Sequence, residues 1–350
     1  MNKATKYAIN GAVISGGLTV IFNALKQLNE IEQNPDLKFN WKRLFITTGI
    51  GTIAGGVGGF VIGSLVDHNN SKIKPIDTDK KILSFVDKAK LDKTDIKYVK
   101  LNKKATQLSQ MLRDEYGDII HSMPRLGSTE AGTALKKKFD IDQGINFKPN
   151  SFPSTEDMFL SVFSLFKEKV GHSSIKKVRK QKKSIGVFVE IDSEIHKIDI
   201  VPIKLTKNGK GSGYLCLNDN SLFGETSYIK TNIKILKQTK LSPTQQKIAI
   251  ALKHWKSKNN LPLSSHLLQH LILDAYQYST SIPTGLTSKI VMVLDHIADS
   301  LNVAVIKSRE NTNNVITDIP ELDKEKIIQA AKEAVEEYNY QPNSIVSTIV

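Results

Sequence analysis

The chain has 350 residues, of which 40% are hydrophobic and 24% charged, so it can bury the core of one large domain or two ordinary ones. Its single cysteine, Cys216, cannot form an intrachain disulfide, which excludes a disulfide framework and a cysteine-based metal or redox motif, and we expect it to be a buried strand residue. The formal net charge of +14 predicts a polyanionic partner such as a nucleotide, a nucleic acid or an acidic membrane surface.

Two apolar segments open the chain, residues 7–28 and 44–66. The second has about 23 residues without a charge, which is long enough to cross ~30 Å of hydrocarbon. Four of its glycines recur at every fourth position and predict a smooth stripe on one helix face for close packing or oligomerisation: Gly51, Gly55, Gly59 and Gly63. Residues 1–68 are therefore predicted to form a hairpin in the bacterial inner membrane, with the rest of the chain in the cytoplasm. The alternative is a hairpin packed against the remainder of a soluble cytoplasmic protein.

The remaining sequence divides by its hydrophobic pattern and its loop-forming residues. The predicted segments are a linker at 69–81, a catalytic domain of helices and strands at 82–240, a helical domain at 241–340 and a flexible polar tail at 341–350.

Apolar spacing predicts the main elements of these two domains. Leu108, Met111 and Leu112 indicate a long helix that ends near Met123–Pro124. The β-rich runs Ile185–Ile191 and Ile195–Ile203 predict adjacent antiparallel strands. Later helices are predicted at Pro243–Lys256, Leu263–Tyr276, Lys289–Leu301 and Asp323–Tyr338.

A small loop and three carboxylates are the residues best suited to chemistry. Asp140 and Asp142 lie two apart, so on an extended strand they point the same way. Asp199 lies in a distant apolar run, where an isolated carboxylate is costly unless it meets a cation. Carboxylates that converge can hold two divalent ions roughly 3.5–4 Å apart against a triphosphate. Gly127 permits close backbone approach to phosphate oxygens, and the Ser128 hydroxyl can hydrogen-bond to them.

These residues resemble the DNA polymerase β-like nucleotidyltransferase superfamily, whose pattern is Gly-Ser or Gly-Gly, a short spacer, Asp-x-Asp and a later strand Asp. Gly132–Thr133 and Ile198–Pro202 are more specifically similar to the cGAS/DncV-like nucleotidyltransferases (CD-NTases) and the oligoadenylate synthetases. The resemblance spans roughly residues 101–338. It implies an α+β fold, with a mixed sheet, a long spine helix and a C-terminal helical bundle that completes the nucleotide cleft.

The resemblance also implies roles for individual residues. The catalytic and metal-binding residues are Asp140, Asp142 and Asp199, and the nucleotide-binding residues are Gly127, Ser128, Thr133, Lys253 and Ser265. The implied cofactor is Mg²⁺, as two ions, with Mn²⁺ as an alternative. Two departures from the family pattern concern the subfamily more than the chemistry: Gln269 replaces a frequent acidic residue, and Ser308–Val315 lacks the usual Asp-Pro.

Three functions are compatible with these features. The first is template-independent synthesis of a cyclic or linear oligonucleotide signal from nucleoside triphosphates, which the resemblance associates with bacterial anti-phage defence and a membrane effector protein. The second is a terminal or protein-primed transferase, in which the basic run Lys176–Lys183 contacts a nucleic acid. The third is a membrane pore or assembly protein with the nucleotidyltransferase domain as its sensor.

Histidine spacing contributes little to this interpretation. The eight histidines show no metal-ligand pattern that we recognise, and no zinc site is predicted. His254, His266 and His270 are expected to pack in the interior or lie on the surface.

Overall fold

The computed structural model describes residues 77–172, 174–208, 211–218 and 227–350, and these have the predicted α+β architecture. The helices are α1 (Thr78–Ala89), α2 (Ile96–Tyr116), α3 (Gly127–Glu130), α4 (Thr155–Glu168), α5 (Ile233–Gln238), α6 (Pro243–Lys258), α7 (Ser265–Tyr278), α8 (Leu286–Ser300), α9 (Glu321–Tyr340) and α10 (Ser344–Ile349). The strands are β1 (Ile120–Ser122), β2 (Arg125–Leu126), β3 (Ile141–Phe147), β4 (Ile175–Lys180), β5 (Ile185–Ile191), β6 (Glu194–Leu205), β7 (Ser212–Leu217), β8 (Ser227–Asn232), β9 (Lys307–Ser308) and β10 (Asn311–Val315).

Strands β1 to β8 form one mixed sheet with the order β1-β3-β6-β5-β4, while β2 pairs with β3 and β7 joins β6 to β8. The pair β3 and β6 is parallel, and the other pairs are antiparallel. The predicted pairing of β5 with β6 is confirmed. Asp192 and Ser193 connect them with φ values of 51° and 65°, the left-handed conformation that a two-residue hairpin turn requires. Cys216 is buried in β7, as expected.

The predicted long helix is α2, which ends earlier than expected. Its buried residues Leu101, Ala105, Leu108 and Leu112 recur at helical spacing and pack with α4 against the sheet. Gly117, with φ 45°, stops the helix, and a short 3₁₀ turn, Gly117–Ile119, leads into β1.

A second core lies among the helices. The four predicted C-terminal helices are present as α6, α7, α8 and α9, and they enclose residues such as Trp255, Leu268 and Leu294. Helix α1 belongs to this core as well, through Ile82 and Val86. Its start at Thr78 shows that the end of the predicted linker is helical.

The last ten residues are folded, which corrects the expectation of a flexible polar tail at 341–350. They contain α10, whose Ile345 and Ile349 are fully buried in the helical core. The Ile349 carbonyl oxygen also lies 2.7 Å from His254 Nδ1. Burial of two isoleucines contributes on the order of 3–6 kcal/mol, enough to order a short terminal segment.

The predicted location in the bacterial inner membrane is contradicted. Within the described parts of residues 77–350, every helix is too short or too polar to cross a bilayer. The longest, α2, carries Lys97, Lys100 and Lys103 on its exposed side. The hairpin predicted for residues 7–66 lies outside the described residues.

Candidate active site

The parallel pairing of β3 with β6 brings the predicted carboxylates together. Asp142 lies directly beside Asp199 in this register, and Asp140 precedes Asp142 by two residues. Because side chains alternate along a strand, all three carboxylates project from one face of the sheet. The two apolar strands that carry them place Ile141, Ile145, Ile198 and Ile200 on the opposite, buried face.

Lys197 holds two of the carboxylates. Its ammonium lies 3.0 Å from Asp140 Oδ2 and 2.9 Å from Asp199 Oδ2. The residue precedes Asp199 by two positions, so it shares the carboxylate face. A side-chain cation therefore sits between two predicted metal ligands.

The electrostatics of the cluster favour a positive charge. Burial, followed by repulsion from Asp199 and Asp140, raises the pKa of Asp142 to about 6. Burial also raises the pKa of Asp199, although Lys197 opposes the shift. Asp199 Oδ1 is buried and has no hydrogen-bond partner among the described residues. A set of hard oxygen donors with an unpartnered buried oxygen fits a divalent cation such as Mg²⁺.

The Asp142 carboxylate leaves no room for a side chain at Gly127. The preceding residue Leu126 pairs with Asp142 across β2 and β3, and Gly127 follows with φ 71°. A Cβ atom at this position would lie 1.7 Å from Asp142 Oδ2, so only glycine fits. Ser128 lies in the first turn of α3, and its carbonyl oxygen accepts a hydrogen bond from the Thr133 backbone N–H at 3.0 Å.

Buried polar contacts hold β2, and with it the Gly127 turn, against β3. Arg125 donates to Gln143 Oε1 and, at 3.0 Å, to Asn102 Oδ1 on α2. Gln143 is almost fully buried and donates in turn to the carbonyl oxygens of Pro124 and Gly144 at 3.1 and 2.9 Å. This network fixes the strand from the face opposite Asp142.

Lys253 connects the helical half to the loop after Gly127. It projects from α6, is only 9% exposed, and donates to the Thr133 carbonyl oxygen at 2.8 Å and to Thr133 Oγ1 at 3.1 Å. Burial and the nearby Lys256 lower the pKa of Lys253 to about 8, while Asp142 opposes the shift. Thr133 and Lys253 are thus in contact with each other and electrostatically coupled to the carboxylate cluster.

Ser265 contacts the site less directly than Thr133 and Lys253 do. It is exposed in the first turn of α7, and its hydroxyl lies 3.5 Å from Lys256 Nζ. Lys256 also donates to the Leu263 carbonyl oxygen, and burial lowers its pKa. Ser265 therefore lies beside Lys256, the same lysine that helps to lower the pKa of Lys253.

The sequence interpretation missed Lys197, Lys256 and Arg125 as parts of this site. A signal for Lys197 was present, because alternation along a strand puts residues 197 and 199 on one face. The periodicity of α6 similarly puts Lys253 and Lys256, three apart, on neighbouring positions of one helix face. Arg125 had no such signal, since its partners are distant in sequence.

Comparison with known proteins gives matches at the level of structure. Neither a protein-family model nor a curated protein sequence matches the chain. CdnC of E. coli MS115-1, solved with ATP, is 17% identical with a TM-score of 0.60, and the match covers 78% of this chain and 98% of CdnC. The CD-NTase CdnG of Bradyrhizobium diazoefficiens, solved in complex with GTP, is 10% identical with a TM-score of 0.58, over 78% of this chain and 98% of CdnG. The Cid1 poly(U) polymerase is 14% identical with a TM-score of 0.53, over 77% and 98% of the two chains.

The TM-scores show a common fold, and identities this low support nothing beyond the fold. The described residues share the fold of CD-NTases and of a poly(U) polymerase, which confirms the predicted resemblance to the polymerase β-like nucleotidyltransferases in architecture. Because one fold can host several activities, the activity has to be argued from the site itself.

Proposed function

We propose that this protein is a nucleotidyltransferase that joins a nucleotide from a nucleoside triphosphate to a hydroxyl group, with release of pyrophosphate. The observation that carries this proposal is the parallel register of β3 and β6, which sets Asp142 beside Asp199 with Asp140 on the same face. A turn that accepts only glycine closes one side of this cluster at Gly127. The fold shared with nucleotidyltransferases supports the same activity.

The cluster has the donors for the expected cofactor. Asp140, Asp142 and Asp199 would hold divalent ions, two Mg²⁺ or Mn²⁺ in their place, which when bound neutralise phosphate charge and activate the attacking hydroxyl. Lys197 must yield its position between Asp140 and Asp199 to such an ion. Its flexible side chain allows this movement without a change in the backbone.

The remaining residues bind and orient the triphosphate. The Gly127 backbone lies against Asp142, and Ser128 follows it in the first turn of α3, where its hydroxyl can hydrogen-bond phosphate oxygens. Lys253, held by Thr133, supplies a positive charge from the helical half. Lys256, whose Nζ lies 3.5 Å from the Ser265 hydroxyl, adds a second positive charge on the same helix.

The finer proposal is synthesis of a short cyclic or linear oligonucleotide signal, as part of bacterial anti-phage defence. The similarity to CdnC and CdnG supports it, and their structures contain ATP and GTP. A second candidate function is extension of a nucleic-acid polymer, which the similarity to a poly(U) polymerase supports.

The basic run Lys176–Lys183 bears on the second candidate. It forms the edge strand β4 and the start of the next loop, and Lys177 and Arg179 are among its exposed cations. Part of this charge is already engaged, because Lys176 pairs with Glu190 at 2.6 Å and Lys180 lies over the Phe163 ring. We therefore place polymer extension behind signal synthesis.

Incubation of the full chain with each labelled triphosphate and Mg²⁺ tests the activity. The double variant Asp140→Ala with Asp142→Ala should lose incorporation, whereas Asp114→Ala with Glu115→Ala, a pair of exposed carboxylates on α2, should retain it. Equal activity in the two double variants would refute the proposal. Mass spectrometry of the products then separates the candidates, since small cyclic or short linear products indicate a signal and long ladders indicate polymer extension.

A further inference from the structure

A second group of potential metal ligands lies apart from the three carboxylates. His266 and His270 are one turn apart on α7, and Glu310 lies in the turn between β9 and β10. Their ligand atoms all lie within 4.8 Å of one another. His266 Nε2 is 3.0 Å from Glu310 Oε1.

The hydrogen bonds of His270 orient its ring for a ligand. Its Nδ1 lies 3.0 Å from the His266 carbonyl oxygen, which can only accept, so Nδ1 carries the proton and Nε2 keeps its lone pair. A backbone carbonyl on the far nitrogen is the usual arrangement for a metal-binding histidine. Nε2 has a weak neighbour, the Arg309 backbone N–H at 3.5 Å. A metal ion would replace that contact at little cost.

The ligand atoms of the three residues must move slightly closer together to bind a metal ion. Tetrahedral coordination with bonds of about 2.0–2.2 Å puts ligand atoms about 3.4 Å apart. The His266–Glu310 pair is already close to this separation. The widest pair has to close by at most about 1.4 Å, which side-chain rotation can supply.

We propose that His266, His270 and Glu310 bind a borderline divalent transition metal of the Zn²⁺ class. Two imidazoles and one carboxylate suit Zn²⁺ and disfavour Mg²⁺, which prefers an all-oxygen shell. His266 is 42% exposed, so a fourth position faces solvent and takes water or an anionic group. The ion would tie the β9–β10 hairpin to the first turn of α7, where Ser265 lies.

The sequence analysis did not predict this metal site, for two reasons. The spacing of His266 and His270, i and i+4, puts both on one helix face but is common by chance. The third ligand follows in a short hairpin that only the folded chain brings into reach.

Binding of Co²⁺ to the full chain in excess Mg²⁺ tests the proposal, because Mg²⁺ competes for all-oxygen sites and tetrahedral Co²⁺ absorbs strongly in the visible. We expect one Co²⁺ per chain, displaced by Zn²⁺. His266→Ala and Glu310→Gln should each weaken binding by more than the roughly 10–100-fold that outer-shell changes cost. The exposed His172→Ala is the matched control and should bind as wild type.

Two further measurements guard against a trivial result. Circular dichroism confirms that each variant is folded, and hydrogen exchange at Asn311–Val315 should slow on addition of Zn²⁺ in the wild type but not in His266→Ala. Unchanged affinity in both ligand variants, or binding that disappears only in Asp140→Ala with Asp142→Ala, would overturn the proposal. It does not depend on the nucleotidyltransferase assignment, because the two sites share no residue.

Discussion

Substitution of Gly127 by alanine tests the geometry of the proposed active site most directly. The added Cβ would lie 1.7 Å from Asp142 Oδ2 and 2.6 Å from its Cγ. Ordinary carbon contacts are about 3.5 Å or longer, so the carboxylate or the turn has to shift by about 1.8 Å. The substitution also places a side chain at φ 71°, which costs roughly 1–2 kcal/mol.

The two effects can be separated by a control in the same chain. Gly171 has φ 84°, and a Cβ added there would have no atom of the described residues within 4 Å, so Gly171→Ala carries the backbone cost without the steric one. Gly171→Ala should lose about 1–2 kcal/mol in the free energy of unfolding, measured with urea, and Gly127→Ala should lose at least as much, because it also carries the steric cost. Only Gly127→Ala should displace Asp142.

The catalytic consequence follows from the size of the shift. A misplacement of about 1 Å at a reacting centre can cost 10²-fold in rate. We therefore expect kcat/KM for nucleotide incorporation to fall at least about 100-fold in Gly127→Ala, and to stay near wild type in Gly171→Ala. Activities of the two variants within about threefold of each other would refute the role assigned to the Gly127 turn.

Three further predictions concern the charged groups. Asp142→Asn should abolish activity yet raise the free energy of unfolding at pH 7 by up to about 3 kcal/mol. The reason is that the pKa of Asp142 is raised to about 6, so the wild type loses stability as the pH rises from about 4 through 6. Urea titrations of both proteins at pH 4 and pH 7 measure the difference. Lys197→Met should lower the Tm of the metal-free protein and enlarge the increase in Tm on adding Mg²⁺, because the pKa of Asp199 rises further when Lys197 is removed. Lys177→Met, at an exposed lysine, is the control. Lys253→Met should raise KM for triphosphate roughly tenfold or more. It should also remove the rise in stability between pH 8 and 10.5 that the lowered pKa of Lys253 predicts, because the unfolded state binds more protons there.

The sequence was sufficient where short-range pattern and chemistry agree. The strands that carry Asp142 and Asp199 are apolar runs, and a carboxylate within such a run indicates a site as well as an element. The C-terminal helices were recognisable from their apolar spacing, and in the structure α6 begins at a capping box formed by Ser242 and Gln245. Their ends differ from the prediction by a few residues, because helix ends respond to local packing.

The sequence pattern did not predict which helices pack against one another. Nothing in the local pattern of α1 shows that it packs with helices more than 150 residues later, yet Asp79 accepts from the backbone N–H groups of Leu286 and Thr287 at 3.0 and 2.7 Å. This contact supplies the N-terminal cap of α8 that Gly285 cannot provide. The tail was predicted as flexible from its polar residues, but Ile345 and Ile349, four apart, form an apolar face that finds a place in the helical core.

The charges in the proposed active site explain which carboxylate would be stabilised most by a bound cation. Lys197 reaches Asp140 and Asp199 at hydrogen-bond distance, so each has a direct positive partner. Asp142 receives only longer-range attraction from Lys197 and Lys253, while burial and both neighbouring aspartates act against its charge. Its pKa of about 6 is the result, and at neutral pH the ionised form is held at a free-energy cost. A divalent ion placed beside Asp142 would remove most of that cost, so metal binding should become weaker below about pH 6, where Asp142 takes up a proton.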